Sequence, residues 1–107
     1  MVSEGSEDRR SSKRISYPCD ARCYGMGDPL SDPHLEDLSV TGAFIRTTTE
    51  LPERAIVLLR FEAGGHRIKV EAEVVHHVPN RGLGVRFLNL GTAQRDVIAG
   101  LGGEPPE

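Results

Sequence analysis

Between residues 66 and 78, Ile68, Val70, Ala72 and Val74 alternate with Arg67, Lys69, Glu71 and Glu73. A period of two is the signature of a strand with one buried face and one wet face. The same reading extends along most of the chain. RISYPCDARCYG predicts a first strand from Ile15 to about Tyr24, with Pro18 marking an edge or an irregular start. The Gly-, Pro- and Asp-rich segment 25–33 predicts a loop. HLEDLSV, residues 34–40, predicts a short strand. Thr41-Gly42 then predicts a turn or bulge, and residues 43–48 are extended again. Pro52 marks a connection, and AIVLLRFEA, residues 55–63, is a strongly apolar strand. Gly64-Gly65 joins it to 66–78 as a hairpin. Pro79-Asn80-Arg81-Gly82 is a turn before a last strand, 83–90. After it the period changes. Thr92 is placed to cap a short helix, TAQRDVIAGL, with Val97, Ile98 and Leu101 at helical spacing, and Gly102-Gly103 stops it.

Five or six short strands joined by tight turns, followed by one short helix, predict a mainly β fold. An antiparallel sheet of this kind hides its edges by curling into a small barrel. Strands do not alternate with long helices, which excludes a parallel α/β architecture. Residues 1–14 carry nothing that drives folding by burial and are expected to form a flexible N-terminal arm. The expected organisation is a tail over 1–8, one barrel domain over 9–101 and a C-terminal tail over 102–107.

Composition narrows the function. The chain has 107 residues, 13 Lys+Arg against 16 Asp+Glu, and a net charge of −3. That length suits one domain with a modest core, and the acidic balance argues against a DNA or RNA binder. A nucleic-acid reading would also need exposed aromatics on a sheet face. Tyr17, Tyr24, Phe44, Phe61 and Phe87 fall mostly at apolar positions. No apolar run approaches the ~18 residues of a membrane span, and MVSEGSEDRR lacks an apolar export signal, so a cytoplasmic location is expected.

Chemistry is sparse. Cys19 and Cys23 share a strand face about 13 Å apart, beyond disulfide reach, and read as two reduced thiols. His34, His66, His76 and His77 are scattered, and no metal site is expected. No nucleophile elbow, P-loop or zinc-protease motif is present. Glu36 and Asp37 are adjacent and should point to opposite faces of a strand, poor geometry for a paired acid and base. No enzymatic activity is expected.

Two local features remain. One is Arg10-Ser-Ser-Lys-Arg14, preceded by Arg9; residues 9–14 hold four of the 13 cationic side chains. The other is Asp37-Leu-Ser39-Val-Thr-Gly42. Each alone is ordinary: a solvated basic arm, and a turn with Asp, Ser and Gly in their usual roles. Together, in this order and around a barrel, they resemble the PilZ domain family. That family is marked by R-x-x-x-R on an N-terminal loop and [D/N]-x-S-x-x-G on the barrel. GAFIRTTTELPERAIVLLRF and GLGVRFLNL continue the likeness, which covers roughly residues 9–101.

The resemblance implies a receptor for the bacterial second messenger cyclic di-GMP. Arg10 and Arg14 would grip the ligand from the arm, and Asp37, Ser39 and Gly42 would form the complementary surface. The physics agrees. Arginine forks pair with phosphate or with guanine O6 and N7 and stack on purines. A carboxylate accepts from guanine N1–H and N2–H₂. Ser39 would add a hydroxyl contact, and Gly42 would let the backbone approach closely. Arg9 matches a feature of members that take a stacked pair of ligands. Ordering the arm costs roughly 1–2 kcal/mol per residue, which charge-assisted bonds of ~1.5–3 kcal/mol each can offset. A disorder-to-order switch of residues 5–14 is therefore expected. With no output domain, the signal is expected to pass to an effector protein by association, a homodimer being open as well. Asp28 and Asp32 in the loop before the second motif add negative charge near the site. The rival reading is a PilZ-like protein-interaction module that does not bind cyclic di-GMP.

Overall fold

The computed structural model describes residues 14–25 and 27–101. Its elements are β1 (Ile15–Gly25), β2 (Asp28–Pro29), β3 (His34–Leu38), β4 (Gly42–Arg46), β5 (Ile56–Ala63), β6 (His66–Val78), β7 (Gly82–Phe87) and one helix, α1 (Thr92–Leu101). The sheet runs β2-β1-β3-β4-β7-β6-β5, and β5 returns to pair with β1. Six strands thus close an antiparallel barrel, with β2 as a short flap on β1. Closure leaves the six barrel strands without a free edge. The two-residue β2 lies inside the segment read as a loop. Gly27, at φ 88°, makes the turn that folds it back onto β1.

The inward faces follow the period of two. Cys23, Val57, Leu59, Phe61, Ile68, Val70, Ala72, Val74, Leu83, Val85 and Phe87 fill the interior with Leu35, Leu38, Ala43 and Ile45. The Gly64-Gly65 turn has φ of 57° and 81°, the left-handed pair that a tight two-residue hairpin demands. Helix α1 lays Ile98 into the core, and Val97 and Leu101 lie beside Gly64, so the helix closes the end of the barrel that carries this turn. The cap is Gly91 rather than Thr92. The Arg95 amide donates to the Gly91 carbonyl at 2.9 Å, and the Gly91 amide donates to Gln94 Oε1 at 3.2 Å, half of a capping box. The expected stop at Gly102-Gly103 lies outside the described residues.

Three irregularities break the alternation. Register shifts in β1 between Ser16 and Cys19, where Pro18 withholds a ladder donor. It shifts again in β6 between Val74 and His76, which pushes Val75 into solvent. The third lies in β3 at Glu36, between the pairs Leu35↔Ile45 and Asp37↔Phe44. Both thiols, Cys19 and Cys23, are free. Burial pushes the Cys23 thiol up to about 12 and also raises that of Cys19, with a smaller push from Asp20.

Candidate functional site

The bulge at Glu36 corrects the expectation that Glu36 and Asp37 face opposite ways. Leu35 and Leu38 both point into the core, so the two residues between them must both turn outward. Each finds an arginine. Arg14 Nη1 donates to Asp37 Oδ1 at 2.6 Å, across 23 positions of sequence. Arg81 Nη2 donates to both Glu36 oxygens at 2.9 and 3.0 Å. The last residue of the first motif and the first of the second are thereby brought together on the outer face of β3. Ser16 lies opposite Asp37 in the ladder, so β1 itself delivers Arg14 to this place. Arg9 and Arg10 lie outside the described residues.

Ser39 and Gly42 are brought to the same turn, where the free chain gives each a structural role. Ser39 is only 2% exposed. Its Oγ accepts from the amides of Thr41 and Gly42, at 3.1 and 3.2 Å, and lies 3.0 Å from Thr41 Oγ1. The hydroxyl closes the β3–β4 turn, as Ser does in such motifs. Gly42 serves close approach to β7: a Cβ there would run into the Val85 carbonyl oxygen. In the free chain both residues shape the turn that presents Asp37, and neither offers a free polar group.

The structure adds residues that the alternation hid. Phe44 reads as core, yet it lies on the outside, opposite Asp37 on one strand and Gly84 on the other. It is buried because the Arg81 guanidinium covers its ring at 5.0 Å and the His76 ring lies 6.4 Å away. His76 in turn packs over Gly84, where a side chain would collide with it. Arg86 pairs with Glu73 further along the same face. The outer surface of β3, β4, β7 and the end of β6 therefore carries Phe44 and His76 under Arg81, with Arg14 and Arg86 nearby, each of the three arginines tied to a carboxylate. The clue available in sequence was AFIR: Phe44 is out of phase with Ala43 and Ile45, the true inward pair. No cluster of metal-binding side chains occurs among the described residues.

The family model for the PilZ domain matches residues 8–101, and the chain belongs to this family of cyclic di-GMP-binding modules. Among solved structures, it is similar to the PilZ domain of CeSA from a cellulose-synthesizing bacterium. The two share 20% identity at a TM-score of 0.66, over 86% of this chain and 97% of that one. An uncharacterized Legionella protein aligns at 11% identity and a TM-score of 0.49, over 80% of this chain and 85% of the other. No curated protein matches the sequence. No helix among the described residues is long and apolar enough to cross a membrane.

Proposed function

We propose that the chain is a cyclic di-GMP receptor that binds on the outer face of β3 and β4. The observation that carries this reading is the meeting of Arg14 with Asp37 at 2.6 Å, one residue from each motif. Both side chains are partly exposed, and an ion pair of that kind is worth ~0–1 kcal/mol. A ligand can therefore part them at little cost. Arg14 then forks onto a phosphate or a guanine O6/N7 edge, and Asp37 takes the guanine N1–H and N2–H₂ donors. Charge-assisted bonds of roughly 1.5–3 kcal/mol each exceed what is given up. Arg9 and Arg10 join from the arm, and the ligand orders residues 5–14 as it binds. Ser39 and Gly42 hold the turn that aims Asp37. The bound state then differs from the free state in one arm and one surface, which an effector protein reads.

Calorimetric titration with cyclic di-GMP, with GMP and cyclic di-AMP as controls, tests the reading. Saturable binding of cyclic di-GMP alone is expected, and stoichiometry above one per chain that falls in Arg9→Ala would assign a second ligand to Arg9. Amide exchange of residues 5–14 should slow on binding. Absence of binding leaves the rival, an interaction module of the same fold without the ligand.

A further inference from the structure

On the other side of the barrel, pairing aligns three cations. β5 is three strands away from β4 in either direction around the barrel. Arg22 on β1 is the ladder partner of Arg60 on β5, and Arg60 is the partner of Lys69 on β6. All three are exposed and share the outer face. None has a carboxylate within salt-bridge distance among the described residues, whereas Arg14, Arg67, Arg81 and Arg86 all do. Like charges directly opposite each other in a sheet are destabilising. A row of three across adjacent strands is a standing electrostatic penalty in the free chain, and one that a matching anion relieves.

The surroundings specify the anion. The next row on this face is Tyr24, Leu58 and Glu71, followed by Ile56 opposite Glu73. Ile56 is 48% exposed. On the far side lie Asp20 and Glu62, the latter beside Arg67. The row is thus one residue deep and bounded by carboxylates on both sides. A membrane plane or a nucleic-acid backbone would lay its negative charge over those carboxylates too. A discrete set of acids on a protein would not. Adjacent strands are ~4.8 Å apart, so the row spans about 10 Å. That matches two turns of α-helix, in which i, i+4 and i+7 lie on one face within ~10.5 Å. Arg22, Arg60 and Lys69 form one wall of an open groove of about 1140 Å³; Arg67 and the carboxylates of Asp20, Asp32 and Glu62 line the rest, so the negative charge of a partner is confined to the cation row.

We propose that the β1–β5–β6 face docks an acidic helical segment of a partner protein, with carboxylates at i, i+4 and i+7 on Arg22, Arg60 and Lys69 and an apolar neighbour against Tyr24 and Leu58. The inference stands apart from the ligand site, and its test needs no cyclic di-GMP.

The probe is a labelled alanine-rich helical peptide with Glu at i, i+4 and i+7, titrated with the full chain by fluorescence anisotropy. Its control has the same composition with the three Glu spread around the helix. The patterned peptide should bind at least tenfold more tightly than the control, and Arg60→Glu should remove that advantage. Arg60→Gln should weaken the peptide severalfold while raising Tm by about 2–5 °C, as the like-charge row is broken. Equal binding of the two peptides, no binding of either, or a lowered Tm in Arg60→Gln would overturn the proposal. So would tighter binding of the row to phosphatidylserine vesicles or to oligo-dT, lost in Arg60→Glu, which would give the face to a polyanion instead. An unchanged cyclic di-GMP titration in Arg60→Gln keeps this outcome separate from that of the ligand site.

Discussion

The two sides of this barrel treat the same residue type in opposite ways. On the β3–β4–β7 side three arginines are matched, Arg14 to Asp37, Arg81 to Glu36 and Arg86 to Glu73, while Arg46 at the end of β4 has no carboxylate partner among the described residues. On the β1–β5–β6 side Arg22, Arg60 and Lys69 stand in register with no carboxylate partner among the described residues. On the proposed reading, paired cations suit a ligand that supplies both donors and acceptors, as a guanine nucleotide does. Unmatched cations suit a partner that brings negative charge alone. On the two proposed readings, one small fold holds a small-molecule site centred on β4 and a protein-docking face centred on β5, central strands that lie three apart around the closed barrel.

The comparison breaks hardest at Gly42. Its Cβ position is occupied by the Val85 carbonyl, so Gly42→Ala must part β4 from β7. A loss of about 3 kcal/mol or more in chemical denaturation is expected, together with loss of the motif face and retention of no measurable ligand affinity. Arg14→Ala comes next. It should leave Tm within a few degrees, since the pair it breaks is exposed, yet weaken cyclic di-GMP by about ten- to a hundredfold in calorimetry. Ser39→Ala removes a buried hydroxyl that two amides use, and should lower stability by ~1–3 kcal/mol in urea unfolding. Its effect on the ligand should be smaller than that of Arg14→Ala, because the hydroxyl is turned inward.

A further effect, on pH dependence alone, lies in the core. The Cys23 thiol ionises near 12 in the folded chain because burial disfavours the thiolate, against an ordinary value of 9.0. Below pH 9 the thiol is protonated in both states and contributes no pH dependence. Between pH 9 and 12 the unfolded chain loses the proton first, so stability falls as pH rises. Denaturation series at pH 8 and 10.5 should show a shallower decline in Cys23→Ala than in the natural chain.

Much of this architecture is legible in the sequence alone. Period-two alternation located the long strands, Gly64-Gly65 the hairpin, and the two motifs the place where Arg14 and Asp37 meet. What escaped depends on contacts distant in sequence. The bulge that turns Glu36 and Asp37 the same way is set by how β3 pairs with β4, not by residues 34–38 alone. Phe44 looks like core until Arg81, from another turn, is seen covering it on the outside. The turn that Ser39 closes and the close approach of Gly42 to the β7 backbone are likewise set by strand pairing rather than by residues 37–42 alone. The cation row is a matter of register across three strands, which no local pattern states.

The most direct measurement sets the two faces side by side: cyclic di-GMP isotherms for the natural chain, Arg14→Ala and Arg60→Gln under one buffer and salt. The account predicts saturable binding by the natural chain, an affinity lower by at least tenfold in Arg14→Ala, and an unchanged isotherm in Arg60→Gln. Equal affinity in Arg14→Ala, or a loss in Arg60→Gln matching that expected for Arg14→Ala, would contradict it.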